Sequence, residues 1–273
     1  MPAILADDGV RLQYEAAGDP GGRAVLLLAG FKAPATSWRY QVPALAAAGY
    51  RVLSVDVRGH GVSERPASGV DMARRGRDLH DVMQTLDLRG AVLIGGSMGA
   101  STIWSYLQAQ GAERVAAVVS VDQTPKMLNT ADWPHGFYGY TPENVDTYFA
   151  DCIPDTGHGT PLLRRGMRLV RLLRAMKGAE RALSAGELSL LQDHAAADWR
   201  GVVAAADVPV LFVAGSESEF WPSSHAAAAA ALAPRGESAV IARDGHAANI
   251  EQPKAFNDGL REFLARTAPA QLR

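Results

Sequence analysis

The sequence predicts an α/β fold built on a mostly parallel, doubly wound sheet, and three observations carry that prediction. Short apolar runs rich in Val, Ile and Leu recur along the chain, without the polar alternation of a half-exposed strand. Longer segments of helical period separate them. One block, 123–200, contains no convincing strand and interrupts the pattern. Strands that are apolar on every position belong in a sheet covered by helices on both faces.

Taken in order, residues 4–17 contain Asp8-Gly9 between two alternating runs and read as an antiparallel hairpin at the sheet edge. Residues 24–29 (AVLLLA), bounded by Gly22 and Gly30, are too short for a buried helix and read as the third strand. Residues 51–57 (RVLSVDV), 91–94 (AVLI), 115–121 (VAAVVSV), 208–214 (VPVLFVA) and the shorter 238–242 (SAVIA) repeat that character. Between them, 72–88 places Leu79, Val82, Met83 and Leu86 on one helical face. The alanine run 226–231 suits a helix, as does 256–265 near the end of the chain. The expected organisation is a core formed by 1–122 and 201–273, with 123–200 as a helical cap inserted after the sixth strand. Within that cap, 162–177 is amphipathic. Arg164, Arg168 and Arg171 lie opposite Leu169, Leu173 and Met176, which reads as a solvated arginine face over an apolar one.

Composition excludes several function classes. The 273 residues are 48% hydrophobic and 21% charged, ordinary values for a globular chain of one large domain. A net charge of −2 gives no field that would draw nucleic acid or a membrane surface. The single cysteine, Cys152, excludes an intrachain disulfide framework and argues against a cysteine-built zinc site. No apolar run is long enough to span a bilayer and the N-terminus lacks a signal-peptide pattern, so a cytoplasmic location is expected. The expected partner is a small-molecule substrate, with no nucleic acid and no membrane; a homodimer is left open.

The sharpest chemical signal is Gly95-Gly96-Ser97-Met98-Gly99, which follows an apolar strand and opens a helix. This is G-x-S-x-G in the strand–turn–helix context the motif needs. A sharp turn lifts the Ser97 hydroxyl clear of the sheet, small residues two before and two after it avoid a collision, and the helix N-terminus favours a developing anion. The alternative is a glycine-rich turn whose serine only caps the helix. A serine hydroxyl needs a base. Of seven histidines, His246 stands in a loop after the last strand, at the sheet end that carries Ser97.

Together, Gly30-Phe31 after the third strand, Asp56-Val-Arg-Gly-His-Gly-Val-Ser63 after the fourth, GGSMG, and GHAANIEQP near the end resemble the α/β-hydrolase superfamily over nearly the whole chain. The resemblance implies an oxyanion hole formed by the amides of Met98 and Phe31, although many relatives carry His-Gly where this chain has Ala29-Gly30. It implies a structural role for Asp56 and His60. It also implies an acid to orient His246. Most relatives carry an aspartate after the strand equivalent to 208–214, but here that loop reads Gly215-Ser-Glu-Ser-Glu-Phe-Trp-Pro222. Some members, including lactonases similar to zearalenone hydrolase, take the acid from the preceding strand end, which is Asp122 here. Asp122 is therefore favoured, with Glu217 and Glu219 as alternatives. Trp133, Phe137, Tyr138 and Tyr140, with Trp221, are candidates for the wall of an apolar substrate pocket, or else for lid core.

No metal-ligand spacing, P-loop or dinucleotide fingerprint is present, so no cofactor is expected. The expected activity is a serine hydrolase acting on a carboxylic ester or lactone of a small to medium apolar molecule. Alternatives on the same fold are perhydrolase or haloperoxidase-like chemistry, C–C bond hydrolysis, cofactor-free lyase or oxygenase chemistry, and a slow-hydrolysing ligand receptor.

Overall fold

A computed structural model describes residues 2–66, 70–179 and 182–270. The chain runs β1 (Ala3–Leu5), β2 (Arg11–Gly18), β3 (Ala24–Leu28), α1 (Gln41–Ala47), β4 (Arg51–Val55), α2 (Met72–Thr85), β5 (Ala91–Gly96), α3 (Met98–Gln110) and β6 (Val115–Val121). It continues through α4 (Met167–Ala175), α5 (Ala185–Ala196), α6 (Arg200–Ala205), β7 (Val210–Gly215), α7 (Ser224–Leu232), β8 (Gly236–Ile241), α8 (Ala248–Glu251) and α9 (Pro253–Thr267). The strands form one eight-stranded sheet in the order β1-β2-β4-β3-β5-β6-β7-β8. The β1–β2 and β2–β4 pairings are antiparallel, and every other pairing is parallel.

The unbroken apolar runs have a direct explanation in the packing. Along β3, Leu26 and Leu28 join one core with Leu79, Val82 and Met83 of α2 and Ile103 and Trp104 of α3. Val25 and Leu27 point the other way, into a second core with Leu45 of α1 and Phe256, Leu260 and Phe263 of α9. Successive strand residues therefore bury on opposite faces, and neither face can be polar. The hairpin expected at 4–17 forms at the sheet edge, with Gly9 at φ 81° in its turn. In the loop after β4, Asp56 accepts the Ala35 and Val62 amides at 2.8 and 3.2 Å, and its carboxyl fills the space a side chain on Gly61 would need. Trp38 is buried against Gly96, under the loop after β3.

Between β6 and β7 the described residues contain helices and no named strand. The arginine face expected to be solvated is a correction: a short 3-10 turn, Leu162–Arg164, and α4 present it inward. Arg168 bonds Glu217 at 3.0 Å and the Arg243 carbonyl at 2.6 Å, and Arg171 bonds the Glu251 carbonyl at 2.7 Å. Arg165, beside them, is buried and pairs with Glu251 at 2.8 Å and with Glu219. Only Arg164 of the three faces solvent, while Leu163, Met167 and Leu173 are exposed. The cause is the acidic cluster of Glu217, Glu219 and Glu251 on the core, which a periodicity argument on 162–177 alone could not see. No described helix is long and apolar enough to cross a membrane.

Candidate active site

Ser97 sits at the junction of β5 and α3 with φ 50° and ψ −128°, a conformation that L-residues rarely hold without a reason in the surrounding structure. The surroundings supply it. A Cβ on Gly95 would come within 2.4 Å of Gly99 C and Ala100 N, and one on Gly99 within 2.2 Å of the Leu28 carbonyl oxygen. The turn can thus lie flush against β3 only with glycine at both places. Ser97 is the residue before α3, yet its hydroxyl makes no capping bond to the helix. It is left half-buried and free of the role a mere cap would have.

Two amides converge on the same corner. Met98 is the first residue of α3, where backbone N–H groups have no partner within the helix. Phe31 follows Gly30, whose Cα passes so close to Ser97 that an added Cβ would meet Ser97 Cβ at 3.0 Å. Neither the Phe31 nor the Met98 N–H donates to another backbone group among the described residues. Phe31 is held from behind by an edge contact with the His60 ring, centroids 6.0 Å apart. His60 itself is buried and bonds the Arg58 carbonyl at 2.9 Å, and burial followed by the Arg75 charge pushes its imidazole down to about 3. It stays neutral at physiological pH and serves the loop.

Asp122 and His246 meet although 124 residues separate them. His246 Nδ1 lies 2.8 Å from Asp122 Oδ2. Asp122 directly follows β6, next to Ser97 across the sheet: Ser97 N–H donates to the Val121 carbonyl at 2.9 Å, and Asp122 N–H to the Val213 carbonyl at 2.7 Å. Like Ser97, Asp122 has a positive φ, 45°, and it is wholly buried. Burial pushes its carboxyl up, but hydrogen bonds from His225 and His246 and their charges outweigh that and hold it below the usual carboxylate range. The His246 ring is gripped by Phe220 and Trp221, centroids 4.4 and 5.5 Å away. Its loop packs directly on β7, since a Cβ on Gly215 would reach within 2.2 Å of the Gly245 carbonyl oxygen.

The other two carboxylates weighed as partners of His246 lie elsewhere. Glu219 Oε2 accepts the main-chain N–H of His246 at 2.8 Å, and its other oxygen pairs with Arg165. Glu217 is taken up by Thr160 and Arg168. Neither bonds the imidazole. Of the aromatic residues proposed as pocket wall, Trp133, Phe137, Tyr140 and Trp221 are buried in a packed aromatic core, with Phe137 in contact with the Phe149, Phe220 and Trp221 rings. Tyr138 is half-exposed and stacks on His158. A cavity of about 440 Å³ lies behind His60, with Arg58, Arg65, Val70, Leu183, Glu187 and Leu190 among its lining; neither Ser97 nor His246 lines it.

Sequence reasoning did not find the donors around Asp122. Ser218 Oγ donates to Oδ2 at 2.6 Å, the Trp221 indole N–H to Oδ2 at 3.1 Å, and the Gly215 N–H to Oδ1 at 2.9 Å. His225 Nε2 stands 3.5 Å from Oδ1. The available signal was the absence of an aspartate from the 215–222 loop: a loop next to a buried acid must supply donors.

The alpha/beta hydrolase fold model matches residues 23–253. The chain belongs to this family. A putative non-heme chloroperoxidase from Synechocystis sp. is 32% identical over 265 residues, spanning 93% of this chain and 95% of that one. An epoxide hydrolase A from Mycobacterium tuberculosis is 42% identical, but over only 120 residues, 43% of this chain and 37% of the other. Among solved structures, a bromoperoxidase from Bacillus anthracis superposes with a TM-score of 0.79 at 27% identity, covering 97% of this chain and all of the other. An esterase from Rhodococcus sp., at 24% identity and TM-score 0.78 over 98% and 99% of the two chains, shares the fold.

Proposed function

We propose that this family member is a serine hydrolase that cleaves a carboxylic ester or lactone of a small to medium apolar molecule through an acyl-enzyme. The observation that carries the reading is the 2.8 Å bond between His246 Nδ1 and the buried Asp122 carboxylate, beside a serine on a strained strand-to-helix turn. With the Asp122 carboxylate accepting a hydrogen bond from Nδ1–H, the imidazole presents Nε2 as a base. Ser97 Oγ attacks the substrate carbonyl as its proton passes to His246 Nε2. The Phe31 and Met98 amides and the α3 N-terminus receive the charge that develops on the carbonyl oxygen. The ester C–O bond then breaks, and His246 returns the proton to the leaving oxygen. Water, deprotonated by His246, repeats the attack and frees Ser97.

The epoxide hydrolase relatives do not extend their named activity to this site. Ring opening by Ser97 would leave an ether on the enzyme, which has no carbonyl for water to attack. A second reading has support in the chloroperoxidase and bromoperoxidase similarities. Hydrogen peroxide in place of water would attack the same acyl-enzyme and release a peracid, and a peracid oxidises halide. The two readings share every step up to the acyl-enzyme and differ only in the second nucleophile.

The test is turnover of short and medium p-nitrophenyl esters and simple lactones, with and without added peroxide. Ser97→Ala is expected to abolish turnover, Asp122→Asn to lower kcat by about 10⁴-fold, and Glu219→Gln to cost far less. Full activity in Ser97→Ala would overturn the reading, and a larger loss in Glu219→Gln than in Asp122→Asn would overturn the choice of acid.

A further inference from the structure

Asp122 serves two imidazoles. His246 takes Oδ2; His225, the second residue of α7, approaches Oδ1 from the opposite side, and its side chain has no solvent exposure. Among the described residues, His225 Nδ1 is buried without a hydrogen-bond partner. Nothing in the hydrolytic cycle requires a second histidine, and a buried, half-satisfied imidazole costs stability that an apolar residue of the same size would not. Its ring packs edge-on against Trp221, centroids 6.1 Å apart, and its polar contact is the informative one: Nε2 toward the carboxylate.

The distribution of donors over the two oxygens explains what that contact does. Among the described residues, Oδ2 receives Ser218, Trp221 and His246, whereas Oδ1 receives only Gly215 besides His225. A carboxylate can swing about its Cβ–Cγ bond, and a swing would carry Oδ2 away from His246 Nδ1. Donors on both oxygens, from β7, the following loop and α7, hold the plane fixed. They also keep the group ionised in a place where burial alone would protonate it. His135, from the β6–β7 segment, also faces His225, and burial and then the His225 charge push it down. His135 is itself bonded to Ser224 at 3.0 Å.

We propose that His225, working with Ser218 and Trp221, is a positioning residue that fixes the orientation and charge of Asp122 and so sets the basicity of His246. It touches no reacting atom. The inference rests on the triad reading given above and adds to it a second layer of residues supplied by the loop after β7 and by α7. Withdrawing the Nε2 donor leaves the carboxylate less stabilised. It then attracts the positive charge of the imidazolium more strongly, so the acidic limb of the rate profile moves to higher pH.

The experiment is the pH dependence of kcat/KM on one p-nitrophenyl ester for the full chain and four variants. His225→Phe keeps the ring and removes the donor. It is expected to lose about 10- to 100-fold at pH 7, the scale of one hydrogen bond to a charged group, and to shift the acidic limb upward. His225→Gln, whose amide nitrogen replaces Nε2, should restore most of the rate and the position of the limb. Ser218→Ala should move both in the direction of His225→Phe, with KM little changed. An unshifted profile in His225→Phe, or a His225→Gln variant no better than His225→Phe, overturns the proposal. Should His225→Phe fail to fold, His225→Gln and Ser218→Ala decide: wild-type profiles in Ser218→Ala and a shifted profile in His225→Gln would contradict it. Asp122→Asn is the control that separates the two levels. If it retains full activity, the triad reading itself fails, whatever His225 does.

Discussion

Two non-glycine residues hold left-handed backbone at the candidate site, Ser97 at φ 50° and Asp122 at φ 45°. Such conformations cost about 1–3 kcal/mol each and persist where packing over-determines them. At Ser97 the packing is glycine against backbone, so the turn has no room to relax. Gly99→Ala would drive its Cβ into the Leu28 carbonyl oxygen, where only 2.2 Å is available. The expected result is a loss of about 1–3 kcal/mol in urea unfolding, together with a large fall in kcat as the elbow shifts. An unchanged unfolding midpoint would contradict this packing account.

At the scale of elements, the segment between β6 and β7 is fastened to the core by charge. Arg165 pairs with Glu219 and with the fully buried Glu251, and Arg168 with Glu217. Glu219 in turn receives the His246 main-chain N–H, so the arginines and the histidine loop share one network. Arg165→Ala leaves Glu251 buried with much of its charge uncompensated, and truncating one member of a buried pair costs about 3–5 kcal/mol. The variant is expected to unfold at lower urea and to show a raised KM as this segment loosens. Wild-type stability would show that the ion pairs contribute nothing net.

For the whole molecule, pH dependence follows from Asp244, which precedes Gly245-His246. Its carboxyl is buried with no side-chain hydrogen-bond partner among the described residues, and burial, then the nearby Glu251 and Asp122 charges, push it up to about 8. The unfolded chain releases this proton near pH 4. Between about pH 4 and 8 the folded state therefore binds the extra proton. Its contribution to stability is complete below the unfolded value and is lost as pH rises toward 8. Asp244→Asn should flatten that decline and raise Tm at pH 8, by about 2–4 °C for each kcal/mol recovered. A Tm below wild type at pH 8 would contradict the assignment.

How much of this was legible in the sequence differs by scale for a physical reason. The strands declared themselves because both sheet faces are covered, and the elbow did so because its glycines follow from steric need within five residues. For the partner of His246, Asp122 was favoured with Glu217 and Glu219 kept as alternatives, since Asp122 and His246 meet only through the sheet order β5-β6-β7-β8. The inward turn of Arg168 and Arg171 and the burial of Trp133, Phe137 and Tyr140 depend on what the rest of the chain places opposite them. Periodicity identified the apolar and basic faces of 162–177 but not that Arg168 and Arg171 turn inward while Leu173 is exposed. Trp221 shows the same limit: its ring is core, and its indole N–H serves the acid.

The central claim is that Ser97 carries an acyl group between attack and release. Rapid mixing with p-nitrophenyl butyrate, acid quench and intact-mass measurement tests it directly, with Asp122→Asn used to slow deacylation. The account predicts a transient mass increase of one butyryl group, localised by peptide mapping to Ser97 and absent from Ser97→Ala. Turnover of the ester with no such adduct, or the same adduct in Ser97→Ala, would contradict it.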